Sequence, residues 1–342
     1  MKGRSIVLDH WRGREAAALL QDGLLDDLLL DDPATPRPGT ILRAACDRPL
    51  KGQGGMMARL PDGATGWLRH GQGLQPGQAL LVQVTGAPEP GKAVPLTDRL
   101  LFKSRLAIVT PGAPGINVSR QVREEATRLA LQAIGEAAMA GSPHGLILRS
   151  AAARASDDEV AEDARAMREA AEAALAQAAG GPALVLEGDG PHLLAWREWE
   201  APSVITKPGG FAREGVLDQI EALARPLVPL GEGSMAVEAT RALVAVDVNT
   251  GTDHSPAAGL KASLLAARAL PRALRLRGLG GQVVVDFAGL SKAQRRQVEQ
   301  SLRDAFRLDP IETSLVGWTA MGLFELSRKR ERIPLARLLG GA

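Results

Sequence analysis

The sequence predicts a multi-domain α/β protein of the α+β kind, with several separate sheets. Its 342 residues are enough for two or three domains, and 45% of them are hydrophobic. A glycine-rich stretch, 39–103, carries short strand patterns that turns separate. After it, apolar runs alternate with helical patterns, which is typical of sheets covered by helices.

Composition limits the classes of protein to consider. Cys46 is the single cysteine, so we expect no disulfide within the chain, no cysteine-based zinc site and a reducing, cytoplasmic setting. The first residues lack the apolar core of a signal peptide, and no apolar run is long enough to span a membrane. Residues 236–342 carry a net charge of +6 and residues 1–235 a net charge of −4, so a polyanion would be drawn to the C-terminal part.

The N-terminal segment predicts a strand at 5–8 and a second apolar segment, and three prolines after Asp32 mark a boundary. Five short strands then predict a small barrel of the OB type. These strands are expected at 40–45, 56–60, 66–69, 80–85 and 93–96. Trp67 is the single aromatic residue between Gly39 and Leu101. It either stacks on a base or fills the barrel core, and the core interpretation is favoured.

Strands and helices alternate in residues 104–180. We expect strands at 106–110 and 145–148 and helices at 120–139 and 156–179, with Ser156 as the N-cap of the second helix. Arg149 and Ser150 follow the second strand, where they either bind a phosphate or form an ordinary strand-end ion pair. Residues 181–235 predict short strands and a helix at 214–224, with Trp196 and Trp199 packing against a neighbouring layer.

The C-terminal part predicts an α/β sheet. The expected strands are 235–238, 242–248 and 283–287, and the expected helices are 259–276 and 292–307. Residues 311–318 and 323–326 supply further strand or loop material. Four cations share one face of the first helix and either contact a phosphate backbone or face solvent; they are Lys261, Arg268, Arg272 and Arg275. Pro271 should kink or shorten this helix.

Two of these strands end in a carboxylate, and this is the strongest chemical signal in the chain. Asp247 and Asp286 each close an apolar, β-branched run, and Asn249 follows Asp247 at the spacing that puts both side chains on one strand face. Two close carboxylates repel unless a cation lies between them, and oxygen ligands of this type suit Mg²⁺. The alternative is that each aspartate forms a turn or caps a helix. His254, further along, is expected in a surface loop.

Three long motifs then match a known family, in the family's order. They are residues 242–251 (ALVAVDVNTG), 274–287 (LRLRGLGGQVVVDF) and 321–330 (MGLFELSRKR), with weaker matches at 80–84, 92–97 and 145–150. Over most of its length the chain resembles the bacterial ribonuclease E/G family. The resemblance implies a metal-dependent endoribonuclease that cleaves single-stranded RNA to leave 5′-phosphate products, in messenger decay or in ribosomal and small-RNA processing.

The resemblance also assigns roles to residues. Asp247 and Asp286 would hold Mg²⁺, with Mn²⁺ as an alternative, and Asn249 would bind near the scissile phosphate. Arg149 and Ser150 would bind the 5′-monophosphate of the RNA. The remaining candidate RNA contacts are Trp67, Lys92, Arg272 and Arg275.

The architecture that the resemblance implies has four parts. Residues 1–35 and 181–235 would form a ribonuclease H-like subdomain, 36–103 an OB-fold domain, 104–180 a 5′-sensor and 236–342 a deoxyribonuclease I-like catalytic subdomain. The family's zinc-binding Cys-Pro-x-Cys link has no counterpart here, so no zinc is expected and a homodimer would have to form without it. An RNA-binding protein of the same fold with weak or no catalysis is the alternative, and a Mg²⁺-dependent phosphatase or DNA nuclease is a third.

Overall fold

The chain divides into two compact units. A computed structural model of the protein describes residues 3–50, 54–89, 91–253 and 255–340. The first unit comprises Met1–Asp32 and Trp199–Ala342, and the second comprises Pro33–Glu198. The three prolines after Asp32 therefore do mark a boundary, as predicted from the sequence.

The first unit begins with a meander of three antiparallel strands. They are β1 (Arg4–Trp11), β2 (Arg14–Gln21) and β3 (Leu24–Leu30). Both connecting turns use two residues with positive φ, including Arg12 at 52° and Asp22 at 53°. Turns of this kind match the twist of the flanking strands, which is why a glycine follows each of these residues.

The second unit opens with a closed barrel of five strands. They are β4 (Ile41–Leu50), β5 (Gly55–Arg59), β6 (Thr65–Leu68), β7 (Ala79–Val84) and β8 (Val94–Thr97). They pair in the order β4-β5-β6-β8-β7, and β7 pairs back with β4, which closes the barrel. The predicted barrel is thus observed, and its topology is consistent with an OB-like fold.

The rest of the second unit is a four-stranded sheet with helices. Its elements are β9 (Phe102–Lys103), β10 (Ala107–Thr110), β11 (Gly115–Val118), α1 (Glu125–Ala138), β12 (Gly145–Leu148), a 3₁₀-helix (Ser150–Arg154), α2 (Asp157–Leu175), β13 (Ala183–Leu186) and α3 (Pro191–Glu198). The sheet order is β11-β12-β10-β9. Ser156 caps α2 as predicted, because its hydroxyl accepts from the Glu159 N–H and the Glu159 carboxylate accepts from the Ser156 N–H.

One predicted boundary lies elsewhere in the structure. Residues 181–198 were expected to begin the second part of the ribonuclease H-like subdomain. Instead β13 pairs antiparallel with β4 of the barrel, so this stretch belongs to the second unit. The first unit resumes at Trp199, and its strand β14 (Ser203–Ile205) pairs in parallel with β1.

The C-terminal part of the first unit forms a six-stranded sheet. The remaining elements are α4 (Gly210–Arg213), α5 (Val216–Leu223), β15 (Leu227–Leu230), β16 (Gly233–Ala239), β17 (Val244–Asn249), α6 (Pro256–Leu276), β18 (Gly281–Asp286), α7 (Lys292–Leu308), β19 (Thr313–Trp318), β20 (Phe324–Arg328) and α8 (Leu335–Leu339). The order is β15-β16-β17-β18-β20-β19, and the β17–β18 pair is parallel because α6 carries the chain back between them.

Helices α6 and α7 cover one face of this sheet. Their buried side chains form a single apolar core with the inward-facing residues of β16, β17, β18 and β20. The other face of β17, β18 and β20 carries exposed side chains, and we call it the open face. Pro271 does not end α6, which continues to Leu276, so the predicted shortening was wrong. Pro271 is buried, and Leu270 and Ala273 beside it belong to the apolar core, which favours the helix despite the missing N–H.

Candidate functional site

Asp247 and Asp286 are directly paired in the structure. They are Cα partners at the carboxyl ends of the parallel strands β17 and β18. Neighbouring strands lie about 4.8 Å apart, so the two side chains stand next to each other. Val246 and Val285, one residue earlier, are buried in the core, so both aspartates project from the open face and are exposed. The sequence alone predicted this juxtaposition.

The end of β18 is fixed by aromatic packing. Phe287, which follows Asp286, lies 5.8 Å from the ring of Trp318, and Trp318 lies 5.2 Å from the ring of Phe324. The guanidinium of Arg295 covers Trp318 at 4.9 Å. Because Phe287 is buried in the core under the sheet, it holds Asp286 on the opposite side, at the open face.

Asn249 lies on the same strand face as Asp247 and contacts it. Its Nδ2 donates to Asp247 Oδ2 at 2.6 Å. The strand ends immediately afterwards at a close backbone approach, because a Cβ at Gly251, where φ is +76°, would lie 2.4 Å from the carbonyl oxygen of Glu232. Glycine at this position therefore lets the chain turn away directly after the three polar groups.

The donor set of this site fits a hard cation. Asp247 and Asp286 form no ion pair with a lysine or arginine among the described residues, so two neighbouring carboxylates stand without a compensating cation. The described residues contain no cluster of three or more His, Cys, Asp and Glu side chains for a metal. One or two carboxylates are enough for Mg²⁺, which usually completes its coordination with water and phosphate oxygens. His254 lies outside the described residues.

Arg149 and Ser150 lie where β12 passes into the 3₁₀-helix. Arg149 is half-buried, and its Nη1 donates to the Ser104 carbonyl at 2.7 Å and to the Arg197 carbonyl at 3.4 Å. Ser150 is exposed at the start of the 3₁₀-helix. The backbone bonds orient the Arg149 guanidinium, which is what an anion-binding fork requires.

A residue that the sequence did not suggest also contacts Arg149. Glu198, at the end of α3, accepts from Arg149 Nη2 at 2.5 Å and from Arg197 Nε at 2.7 Å. Burial raises the pKa of Glu198, but Arg149 and Arg197 lower it further, and the net result is a pKa below the ordinary value. Glu198 is therefore ionised at neutral pH, and its charge faces Arg149.

Trp67 and Lys92 lie on the surface of the barrel. Gly66 and Leu68 face the barrel interior, so Trp67 between them points outward and is half-buried against Gly55. The favoured interpretation of Trp67 as barrel core was wrong, because the two-residue period of β6 places it on the other side. Lys92 is exposed and pairs with Glu89 at 2.9 Å.

Arg272 and Arg275 both bond to the chain itself. The guanidinium of Arg272 donates to the Leu25 carbonyl at 2.8 Å through Nε, although part of the side chain is exposed. Arg275 is 8% exposed and lies among carboxylates, with Asp27 at 3.4 Å and Asp26 at 3.5 Å. The structure favours a role for Arg275 in holding α6 to β3, since little of the side chain is left for RNA.

This pairing continues into a buried ionic network. Arg275 also pairs with Asp309, and Asp309 accepts from Arg328 Nη2 at 2.8 Å. Arg332 donates to the Asp27 carboxylate at 2.6 Å. The side chains of Asp309 and Arg328 are fully buried, so Arg328 in the basic run 328–330 is a core residue, which the local sequence pattern does not indicate.

The two tryptophans of residues 181–235 differ in placement. Trp199 is buried as expected, and its Nε1 donates to Asp27 at 3.2 Å. Trp196 is 58% exposed, contrary to the expected packing, and the Arg105 guanidinium lies 4.8 Å above its ring. Arg105 explains the difference, because its guanidinium lies over the Trp196 ring and also donates to the Trp196 carbonyl, which holds this residue at the surface.

Among the described residues, none of the helices has the length and apolar character that a membrane span needs.

A profile of the ribonuclease E/G family matches residues 102–204 and 206–331, more than half of the chain. Ribonuclease G of Escherichia coli is 28% identical over 307 residues, which covers 77% of this chain and 62% of the relative.

Two further relatives agree with this match. Ribonuclease G of Haemophilus influenzae is 27% identical over 303 residues, covering 77% of this chain and 62% of the relative. Ribonuclease E of a Nostoc species is 27% identical over 310 residues, covering 78% of this chain and 45% of the relative. The chain thus spans less than two thirds of the length of these curated relatives.

Proposed function

The chain belongs to the ribonuclease E/G family, and we propose that it is a metal-dependent endoribonuclease of RNA processing or decay. Its substrate is single-stranded RNA, and its products carry a 5′-phosphate. The observation that carries the proposal is the register pairing of Asp247 with Asp286 at the open face. Both residues lie within the part of the chain that matches the family profile.

The residues at the open face divide the chemistry between them. Asp247 and Asp286 hold Mg²⁺, with Mn²⁺ as an alternative, and this cation supplies positive charge to the scissile phosphate when it is bound. Asn249 orients the Asp247 carboxylate and offers its amide to a phosphate oxygen. In the hydrolysis, a water oxygen bonds to phosphorus and the P–O3′ bond breaks. The upstream product then keeps a 3′-hydroxyl and the downstream product the 5′-phosphate.

The second unit supports RNA binding in this proposal. The barrel is the OB-fold domain, and Trp67 and Lys92 on its outer surface are the candidate contacts there. Arg149 and Ser150 form the 5′-phosphate sensor. In the first unit, β1 to β3 and β14 correspond to the ribonuclease H-like subdomain and the six-stranded sheet to the deoxyribonuclease I-like one. A homodimer without a zinc link and a cytoplasmic location stay predictions.

The test is cleavage of a short 5′-monophosphorylated, A/U-rich RNA in Mg²⁺, with EDTA as the metal control. Asp247→Asn and Asp286→Asn should each lower the cleavage rate by at least about 100-fold, since loss of an electrostatic contributor costs that much. Asp304→Asn is the matched control, because Asp304 is an exposed residue of α7, on the covered side of the sheet. Mn²⁺ in place of Mg²⁺ should retain activity.

Three results would contradict the proposal in different ways. Cleavage that survives Asp247→Asn would remove the metal assignment. RNA binding without any cleavage by the unmodified chain would favour an RNA-binding protein of the same fold. Equal cleavage of a single-stranded DNA of the same sequence would favour a less specific nuclease.

A further inference from the structure

The anion-binding position of Arg149 is already filled by a side chain of the protein. The Glu198 carboxylate lies against Arg149 Nη2 at 2.5 Å through Oε2 and against Arg197 Nε at 2.7 Å through Oε1. The Nη1 group of Arg149 is turned the other way, to the Ser104 and Arg197 carbonyls. Glu198 therefore occupies the side of the fork that is not committed to the backbone.

A phosphate monoester would need the same position. It presents charged oxygens that accept guanidinium N–H groups, as a carboxylate does, and it carries more charge. Arg149 and Glu198 remain partly exposed, with side-chain exposures of 24% and 38%, so a ligand from solvent can reach the pair. Both groups cannot take the same donor at once.

Glu198 also has a second partner to which it can fall back. Arg197 binds it through Nε and pairs through Nη1 with Asp189. If Glu198 left Arg149, its charge would still be compensated by Arg197. Displacement therefore costs one ion pair at a partly exposed position, and pairs of this kind contribute little to stability.

We propose that Glu198 is an internal competitor for the RNA 5′-phosphate at Arg149, and that it sets how strongly the enzyme prefers 5′-monophosphorylated RNA. This inference rests on the proposed function, in which Arg149 is the phosphate-binding residue. It makes Glu198 a specificity-determining residue, because 5′-hydroxyl RNA does not have to displace it. Preference for the phosphorylated end is then weaker than the arginine alone would give.

The experiment compares binding of 5′-monophosphorylated and 5′-hydroxyl forms of one short 3′-fluorescein-labelled RNA to the full chain, by anisotropy in EDTA. The measured quantity is the Kd of the 5′-hydroxyl RNA divided by the Kd of the 5′-monophosphorylated RNA, so a larger ratio means a stronger preference for the phosphate. Glu198→Gln, which keeps the size of the side chain and removes the charge, should raise the preference about three- to fivefold. Arg149→Ala should bring the ratio close to one, and Arg149→Ala with Glu198→Gln should stay there.

Glu187→Gln is the matched control. Glu187 is another carboxylate of the second unit, it pairs with Arg37 at 3.0 Å, and its side chain is 67% exposed. Its loss changes the net charge of the protein by the same amount as Glu198→Gln and should leave the ratio unchanged. Circular dichroism melts compare the variants, and Glu198→Ala replaces Glu198→Gln if the latter is unstable.

The outcomes separate the inference from the proposed function beneath it. An unchanged or lower ratio in Glu198→Gln, together with a lower ratio in Arg149→Ala, would overturn the inference alone, since Glu198 would then only position Arg149. A ratio that neither Arg149→Ala nor Glu198→Gln changes would overturn the 5′-sensor as well. A chain without preference that gains one in Glu198→Gln would support the competitor role.

Discussion

Replacing Asp309 by asparagine should destabilise the first unit by about 3–5 kcal/mol, the usual cost of breaking a buried ion pair by removing one partner. Asp309 and Arg328 both have fully buried side chains, joined at 2.8 Å. Arg275 would lose its contact with Asp309 but keep Asp27 at 3.4 Å. Among the side chains of the described residues, Arg328 would then keep the hydroxyl of Thr313, at 2.8 Å, as its only hydrogen-bond partner, so its charge is the one left uncompensated.

Urea unfolding of the full chain, followed by far-UV circular dichroism, measures this loss. With a denaturant slope of about 2 kcal/mol/M, the transition of the first unit should move down by about 2 M. Asp304→Asn makes the same chemical change at an exposed ion pair, where the Arg307 and Asp304 side chains are 76% and 53% exposed, and should shift it little. A loss for Asp309→Asn no larger than that of Asp304→Asn would refute the assignment of a buried, coupled pair. The double change Asp309→Leu with Arg328→Met should recover part of the stability, because neither charge is then left alone.

Two further predictions concern single residues. Burial raises the pKa of Asp9, but three backbone N–H donors, including that of Phe211 at 2.9 Å, lower it further, so its folded-state pKa lies below the ordinary value. This contribution to stability is present above about pH 4 and is lost as the pH falls through the folded-state pKa. Asp9→Asn should therefore lower the free energy of unfolding in urea more at pH 7 than at pH 3. Equal losses at the two pH values would contradict this reasoning. Ser156→Ala should remove the cap of α2 and lower the stability measured in a thermal melt by about 1 kcal/mol, whereas Ser156→Thr should lower it less. An alanine variant as stable as the unmodified chain would show that the cap is not needed.

The elements that could be predicted from sequence are those in which local periodicity and local breaks agree. The five barrel strands and the cap at Ser156 depend on nearby residues, and they appear within five residues of the expected bounds. The pairing of Asp247 with Asp286 was also predictable, although 39 positions separate them in the sequence. The single helix between two apolar runs makes parallel neighbours of their strands, so both strand ends lie at one edge of the sheet.

The features that escaped prediction depend on partners far along the chain. Arg275 shares a helix face with exposed cations, so its sequence context predicts solvent, yet β3 brings Asp26 and Asp27 to it. The placement of Trp67 depends on which side of β6 faces the barrel interior, and an error of one residue in strand phase reverses that placement. The local sequence pattern determines neither placement, because both depend on which other element packs nearby.

The functional role of an arginine also depends on its distant partners, because the sequence alone does not distinguish a structural ion pair from one that a ligand can displace. Arg328 with Asp309 and Arg149 with Glu198 have similar contact distances, 2.8 Å and 2.5 Å. The first pair is fully buried, so separating it leaves charges in the core with no water to replace the partner. The second pair is partly exposed and Glu198 retains Arg197, so an incoming phosphate can replace one anion by another. Burial, more than distance, therefore decides which arginine holds the fold together and which one is available to a substrate.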